Sequence, residues 1–310
     1  MKEIGGYIEL DTYTSKMLHS DGIKLNCGRN ALAYIIKAKG IKKIHMPKFM
    51  CDSCDKVLAD NHVDVHYYSI GLDFKPSIEQ WDGWLYVVNF YGQLSNDYLT
   101  SLGDRIIVDN AQAYFQEPIP RVDTLYTCRK FFGVADGAIL YTDKLIEVEE
   151  QDESFERMHF LLGRYERTAS EFYSEYVDNN HFFKNEPIKR MSKLTENLLR
   201  GIDYEMVREK RTQNFACLHE KLYSLNKLNL SVPNGAFMYP LYIENGAEVR
   251  KQLQEKKIFI PTLWPAVFNL CKENELEYDM AKNILPIPVD QRYDIKDMDY
   301  LLEEVYKCLK

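Results

Sequence analysis

The sequence predicts an α/β protein: a mostly parallel sheet in a large domain, followed by a smaller C-terminal α+β domain. Three observations predict it. Short apolar runs alternate with helical patterns from Leu25 to Tyr141, and such runs belong to parallel strands covered on both faces. A charged stretch without strand runs follows over residues 144–225, and mixed character returns over 236–310. The chain has 310 residues, 45% hydrophobic and 28% charged, which suits a folded protein with a real core. The large domain with its helical connection is placed at 1–200 and the small one at 201–310.

Each element has its own signal. Leu32, Ile35 and Ile36 share one helical face, and Gly40 supplies a stop. Ile44-His45-Met46 reads as a short strand closed by Pro47, Cys51 to Asp60 as a helix, and Val63 to Tyr68 as a strand. Further strands are predicted at Trp84–Asn89, Arg105–Val108, Thr124–Tyr126 and Ala138–Tyr141. Long helices are expected between 144 and 225. Beyond them Met238–Ile243 reads as a strand, Ala247–Lys256 as a helix and Ile258–Ile260 as a strand. A last amphipathic helix starts at Ile295, with Met298, Leu301, Leu302 and Val305 on one face. No internal repeat or low-complexity tract interrupts the pattern.

Composition narrows the function. A formal charge of −8 argues against a general nucleic-acid binder, while leaving room for a local anion site. No run approaches the roughly 20 apolar residues of a membrane span, and Met1 leads into no apolar signal segment. A cytoplasmic protein is expected. Seven cysteines at irregular spacing do not read as a disulfide framework. Cys51-Asp52-Ser53-Cys54 lacks the two further ligands that zinc needs and reads as two thiols at a helix start, so no metal is expected.

Ligands of open α/β sheets bind beyond the carboxyl ends of the strands, and three segments put polar groups there. Asn26-Cys27-Gly28-Arg29-Asn30 is a glycine-containing turn opening a helix, whose unpaired N–H groups favour phosphate. Ile106-Ile107-Val108-Asp109-Asn110-Ala111-Gln112 delivers Asp109 to a strand end. There it would serve as a metal ligand, a general base, a partner for a protonated ring nitrogen, or simply a helix N-cap. Thr127-Cys128-Arg129-Lys130-Phe131-Phe132 places a lysine between a strand and a loop with glycines. Aromatic neighbours would desolvate its ammonium toward the amine that forms Schiff bases; otherwise it is a surface lysine.

In this order the three segments resemble the fold-type I, DegT/StrS-type aminotransferases, pyridoxal-phosphate enzymes acting largely on nucleotide-linked keto sugars. Asp109-Asn110-Ala111-Gln112 is similar to the family's Asp-x-Ala-Gln, and Lys130 precedes Asp136-Gly137-Ala138 as the family's Schiff-base lysine precedes its acidic-Gly segment. Tyr91-Gly92-Gln93, Leu285-Pro286 and the closing helix add to the likeness. The resemblance implies pyridoxal 5′-phosphate as cofactor, with Lys130 and Asp109 as catalytic residues. It implies Gln112 near the ring oxygen, and Gly28, Arg29, Asn30 and Thr127 near the phosphate. It further implies a small-molecule substrate, an amino-acid donor and a homodimer.

Three positions depart from the family. Ile188 stands where an Asn usually reaches the neighbouring subunit's phosphate, and Leu263 stands where a His is usual. The aromatic that stacks on the cofactor falls near Cys51, with Phe49 as a substitute. Asn185, Lys189 and Arg190 are candidates to replace the missing cross-subunit contact. Arg29, Arg129 and Arg190 are expected to gather positive charge around an anionic ligand. Two alternatives stay open: another pyridoxal-phosphate reaction on the same scaffold, or a cofactor-free relative acting as a binding protein.

Overall fold

The computed structural model describes residues 4–309. The apolar runs form eight strands: β1 (Ile23–Leu25), β2 (Lys43–Pro47), β3 (Asp64–Ile70), β4 (Pro76–Ser77), β5 (Trp84–Val88), β6 (Ile106–Asp109), β7 (Asp123–Thr127) and β8 (Ala138–Tyr141). They join in one sheet of order β1-β8-β7-β6-β5-β2-β3-β4. The five strands β3, β2, β5, β6 and β7 run parallel, while β8 is antiparallel to both β7 and β1. Ile106, Ile107 and Val108 in the central β6 are completely buried, so both faces of the sheet are covered. The crossover helices are α1 (Gly28–Lys39), α2 (Asp55–Asp60) and α3 (Asn96–Ser101). Gly40 ends α1 in the left-handed conformation with φ 62°, as its place in the pattern predicts.

Register sets up the site. Val88, Asp109 and Leu125 are neighbours across β5, β6 and β7, which puts Asp109 on the carboxyl edge. Thr127 ends the next strand, two residues further along.

After β8 come α4 (His159–Glu166), α5 (Tyr173–Phe182), α6 (Lys193–Arg200) and α7 (Tyr204–Leu222). The long helices expected here are shorter than that, except for the 19 residues of α7. The C-terminal unit is a two-stranded antiparallel sheet, β9 (Met238–Tyr242) with β10 (Ile284–Pro288), together with α8 (Gly246–Glu255), α9 (Val267–Leu270), α10 (Leu276–Asn283) and α11 (Ile295–Cys308). Helix α11 packs on α7 and α8, burying Met298, Leu301, Leu302 and Val305 as its periodicity predicts. It starts at Ile295 because Asp294 and Asp297 form a reciprocal capping box.

One strand was misplaced. Ile258–Ile260 is irregular: Lys257 takes φ 61°, and the Ile258 N–H closes back on the Leu253 carbonyl at the end of α8. The partner of β9 is instead β10, whose prolines disguise it. Pro286 faces Pro240, tolerated because each strand of a two-stranded sheet keeps a free edge. Among the described residues, no helix is long and apolar enough to cross a membrane.

Candidate functional site

Asp109 is anchored but not consumed. Its Oδ1 accepts the Ala111 N–H at 2.8 Å and its Oδ2 accepts the Tyr86 hydroxyl at 2.8 Å, while the residue stays only part-buried. Two donors fix the carboxylate plane and leave lone pairs for a third. Tyr86 escaped the sequence reading. The signal was its place in β5, beside the strand that carries Asp109.

At the start of α1, sequence motif and structural role part company. A Cβ on Gly28 would sit 3.3 Å from the Thr127 methyl, so the absence of a side chain lets α1 approach the end of β7. No side chain caps α1 and no acidic residue lies in its first turn, leaving its N–H groups and positive dipole end available to an anion. The Asn30 side chain is not available. It is buried, and its amide donates to Asn26 Oδ1 at 3.0 Å and to the carbonyls of Glu186 and Pro187 at 3.1 and 2.7 Å. Its side chain ties α1 to the 186–187 segment, which leaves only its backbone N–H, in the first turn of α1, to face an anion.

Lys130 ends a single 3-10 turn, Cys128–Lys130, directly after β7. Phe131 and Phe132 are buried behind it among Tyr114 and Phe115, and this anchors the loop. Lys130 itself is exposed, with Nζ 5.7 Å from the Phe237 ring centre. The expected aromatic desolvation is thus limited to one ring. Lys130 makes no direct bond to Asp109; the two stand on neighbouring strand ends. Gly137 closes the loop at φ 115°, where a Cβ would meet Cys128 at 3.1 Å. Asp136 is buried, accepting the Ser192 N–H and hydroxyl at 2.7 Å each and the Thr195 hydroxyl. Burial pushes its pKa up despite these donors, and it braces Ser192, the residue that caps α6.

The positive charge gathers differently from the expectation. Arg129 lies 4.9 Å over the Phe183 ring and donates to Asn180 Oδ1. Arg157 lies over the same ring at 5.0 Å and over Phe182 at 4.1 Å. Burial pushes the Arg129 pKa below the usual arginine range, and the nearby charges of Arg29 and Arg157 push the same way. Arg157 pairs with Asp152 at 2.7 Å; among the described residues no carboxylate pairs with Arg29 or Arg129. Arg190 does not join them. It is exposed and donates to the Glu149 carbonyl. Arg157 and Asn180 were missed because they come from a charged helical stretch with no motif.

Other expectations are corrected by packing. Phe49 has no exposure and packs against Phe90 and Trp264, at 5.4 and 5.2 Å between ring centres, so it is a core residue with no face for a ligand. Cys51 is part-buried, with its Sγ 2.9 Å from the Ser53 hydroxyl. Gln112 is buried, and its Oε1 accepts the Tyr91 N–H at 2.7 Å, holding the turn after β5. Lys189 is committed to Glu186 at 2.6 Å, and Ile188 packs on the chain's own core. A cleft of about 280 Å³ opens between Gly92, Gln112, Gln116 and the 233–235 segment; its walls do not include Asp109 or Lys130.

No family model and no curated protein matches this chain at the level of sequence. Solved structures do match in shape. The S. venezuelae protein DesV, in complex with a ketimine intermediate, superposes with a TM-score of 0.66 at 14% identity, covering 92% of this chain and 84% of that one. The sugar aminotransferase CalS13 from Micromonospora echinospora gives 0.64 at 11% identity, over 92% and 86%. NtdA from Bacillus subtilis, with its cofactor PMP bound, gives 0.64 at 14% identity, over 92% and 72%. At these identities the likeness is one of fold, and the chain shares the fold of these three structures.

Proposed function

We propose that this chain is a pyridoxal 5′-phosphate-dependent aminotransferase. Its acceptor is a keto sugar, nucleotide-linked, or a similar small carbonyl compound, and an amino acid is the donor. One observation carries the reading: an anchored, part-open carboxylate at Asp109 stands one strand away from Lys130, near an uncapped helix N-terminus that carries Arg29. The shared fold with a sugar aminotransferase and with a PMP-bound protein supports it. Fold alone is a weak guide to reaction, so the reading leans on the site.

The residues present fit the group. Asp109 would hold a protonated ring nitrogen, with Tyr86 and the Ala111 N–H keeping its oxygens in place. Gly28, Arg29 and Thr127 would lie at the phosphate. Cys51 occupies the place of the stacking aromatic and would give a smaller contact. When bound, the cofactor supplies an electron sink for a carbanion next to nitrogen. Lys130 would hold it covalently, then carry a proton between two carbon positions through its Nζ. Its exposure lets the amine swing away when the donor arrives. Gln112 acts indirectly, by fixing Tyr91 at its positive φ of 54°.

Two further parts belong to the same reading. The chain divides near residue 200 into a large cofactor-binding domain and a small C-terminal one, just before α7. It pairs as a homodimer, for which the exposed Leu162, Tyr165 and Tyr173 of α4 and α5 offer apolar surface.

The test is direct. Purified protein given pyridoxal 5′-phosphate should turn yellow, and borohydride should fix the label on the peptide containing Lys130, found by mass spectrometry. Lys130→Ala should abolish the label. Colourless protein with an unmodified Lys130 would sink the enzyme reading and leave the binding protein.

A further inference from the structure

Cys51 and Cys54 are the one pair of cysteines close together in the sequence, and the function proposed above gives Cys54 no part. Both are free thiols. The turn Asp52–Cys54 is a 3-10 helix, and Cys51 precedes it as the N-cap in extended conformation, at φ −77° and ψ 159°. A tight turn of this kind holds the α-carbons of residues three apart within about 7 Å, as a disulfide requires. The Ser53 hydroxyl stands 2.9 Å from Cys51 Sγ and 3.9 Å from Cys54 Sγ. The two sulfurs therefore lie within about 7 Å of each other, a gap that rotation about the two Cα–Cβ bonds closes.

The two thiols differ in access, and their place in the fold is a working one. Cys51 is part-buried, whereas Cys54 is 5% exposed and packs in the core. Burial pushes the Cys54 thiol up, so Cys51 is the sulfur that a reactant in solution meets first. Strands β2 and β6 flank β5 and run parallel to it. The chain beyond Pro47 therefore leaves the sheet on the same carboxyl edge as Asp109, where ligands of open α/β sheets bind.

We infer that Cys51 and Cys54 form a reversible disulfide, a modification site on the ligand edge of the sheet whose reactant is a small disulfide of the glutathione type, R–S–S–R. Cys51 attacks one sulfur of the reactant, a Cys51–S–S–R bond forms, and one thiol R–SH leaves. Cys54 then attacks the Cys51 sulfur, the protein disulfide forms, and a second R–SH leaves. The two cysteines lose two electrons and two protons, and the reactant takes them up as it becomes two thiols. The Ser53 hydroxyl, near both sulfurs, donates to whichever is the thiolate. Burial of Cys54 makes the second step the slower one. This chemistry needs no cofactor and holds whether or not Lys130 takes a label.

The test uses the full-length protein, reduced, mixed with glutathione disulfide, quenched with acid, then unfolded and capped with N-ethylmaleimide. Trypsin releases both cysteines in one peptide, Phe49–Lys56, because lysines stand at 48 and 56. Mass spectrometry should show this peptide uncapped and two hydrogens lighter, with a glutathione adduct on Cys51 as the earlier species. The buried Cys27, Cys128 and Cys271 should take the cap, and dithiothreitol should restore the doubly capped peptide. Cys54→Ser should stop at the adduct on Cys51. Cys51→Ser should react at Cys54 at least about tenfold more slowly than the wild type does at Cys51, and it serves if loss of the buried thiol unfolds the Cys54 variant. A wild-type peptide capped at both cysteines after treatment, an adduct on Cys51 that never resolves, or equal reactivity of Cys54 in Cys51→Ser would overturn the inference.

Discussion

Two arginines flank Lys130, both drawn out of water and neither with a carboxylate, yet the protein treats them in opposite ways. Arg211, on α7, gives Nε to Gln291 at 2.7 Å, Nη1 to the Ala236 carbonyl at 2.9 Å and Nη2 to the Phe131 carbonyl at 3.1 Å. It also lies 4.5 Å over the Phe131 ring. Burial pushes its pKa down to about 10, which leaves it charged at neutral pH. Arg129 has one side-chain acceptor, Asn180, and an aromatic ring, and it faces two other arginines. The first is a joint, binding the C-terminal unit to the lysine loop with nearly every donor used. The second is incomplete. The difference teaches how to read a buried polar group here: one whose bonds close within the chain is architecture, and one left short marks a place for something else.

The joint should break expensively. Arg211→Met keeps the volume and removes donors to four partners, Gln291 and the carbonyls of Ala236, Phe237 and Phe131. It should cost about 3 kcal/mol of stability, since bonds from a charged group are among the stronger ones. Urea unfolding checks it, and the loss should be the same with and without phosphate. A phosphate-dependent loss would erase the contrast with Arg129. Asp136 tests the same rule at a motif residue. Asp136→Ala leaves the Ser192 N–H and two hydroxyls without their acceptor, and it should cost about 2 kcal/mol in the same experiment. A stable variant that had lost only ligand binding would place Asp136 in the site.

Most of the sheet was legible because its strands are continuous apolar runs, and Asp109, Gly28 and Lys130 were legible because they punctuate those runs. What each side chain does there was not. Asn30, Gln112 and Asp136 belong to motifs that resemble ligand contacts, yet their bonds go to Pro187, Tyr91 and Ser192, far off in sequence. Phe49 looked like a stacking ring, and only the packing of Phe90 and Trp264 shows both neighbours already in place. Arg157 lay in a charged stretch with no periodicity to single it out, and β10 was hidden by prolines whose edge position is a tertiary fact. Local pattern identifies elements; long-range partners decide roles.

Between the joint and the incomplete cluster lies a group satisfied in only one charge state. His19 is buried, stacked on Tyr126 at 4.1 Å, with Nε2 2.7 Å from the Tyr114 carbonyl and Nδ1 3.3 Å from the Tyr141 hydroxyl. The neutral ring satisfies both, donating from Nε2 and accepting at Nδ1. Burial pushes its pKa below the usual histidine value of 6.5. The unfolded chain therefore takes up the proton first, so the stabilisation is present above about pH 6.5 and is lost as pH falls toward the folded value. The Tm should drop between about pH 7.5 and about pH 5.5, and His19→Gln should show a shallower drop. Parallel curves for the two proteins would mean that His19 takes up its proton equally in the folded and unfolded chains.

The smallest effect expected is the one that bears most on the comparison. Without an anion, Arg129 contributes one bond to Asn180 and the stacking on Phe183, and against these stand the loss of water from its guanidinium and repulsion from Arg29 and Arg157. Replacing a buried charge that lacks a counter-ion with an apolar side chain of similar length is often neutral or favourable. Arg129→Met should therefore change the unfolding free energy by less than about 1 kcal/mol in phosphate-free buffer, and in the stabilising direction if repulsion outweighs the bond. Adding inorganic phosphate should reverse the order, because the wild type gains from the ligand while the variant gains little. The pair of urea curves, with and without phosphate, separates the two roles in a way that a single curve does not. Should Arg129→Met lose as much stability as Arg211→Met in both buffers, the two arginines are the same kind of residue, and the start of α1 is architecture as well.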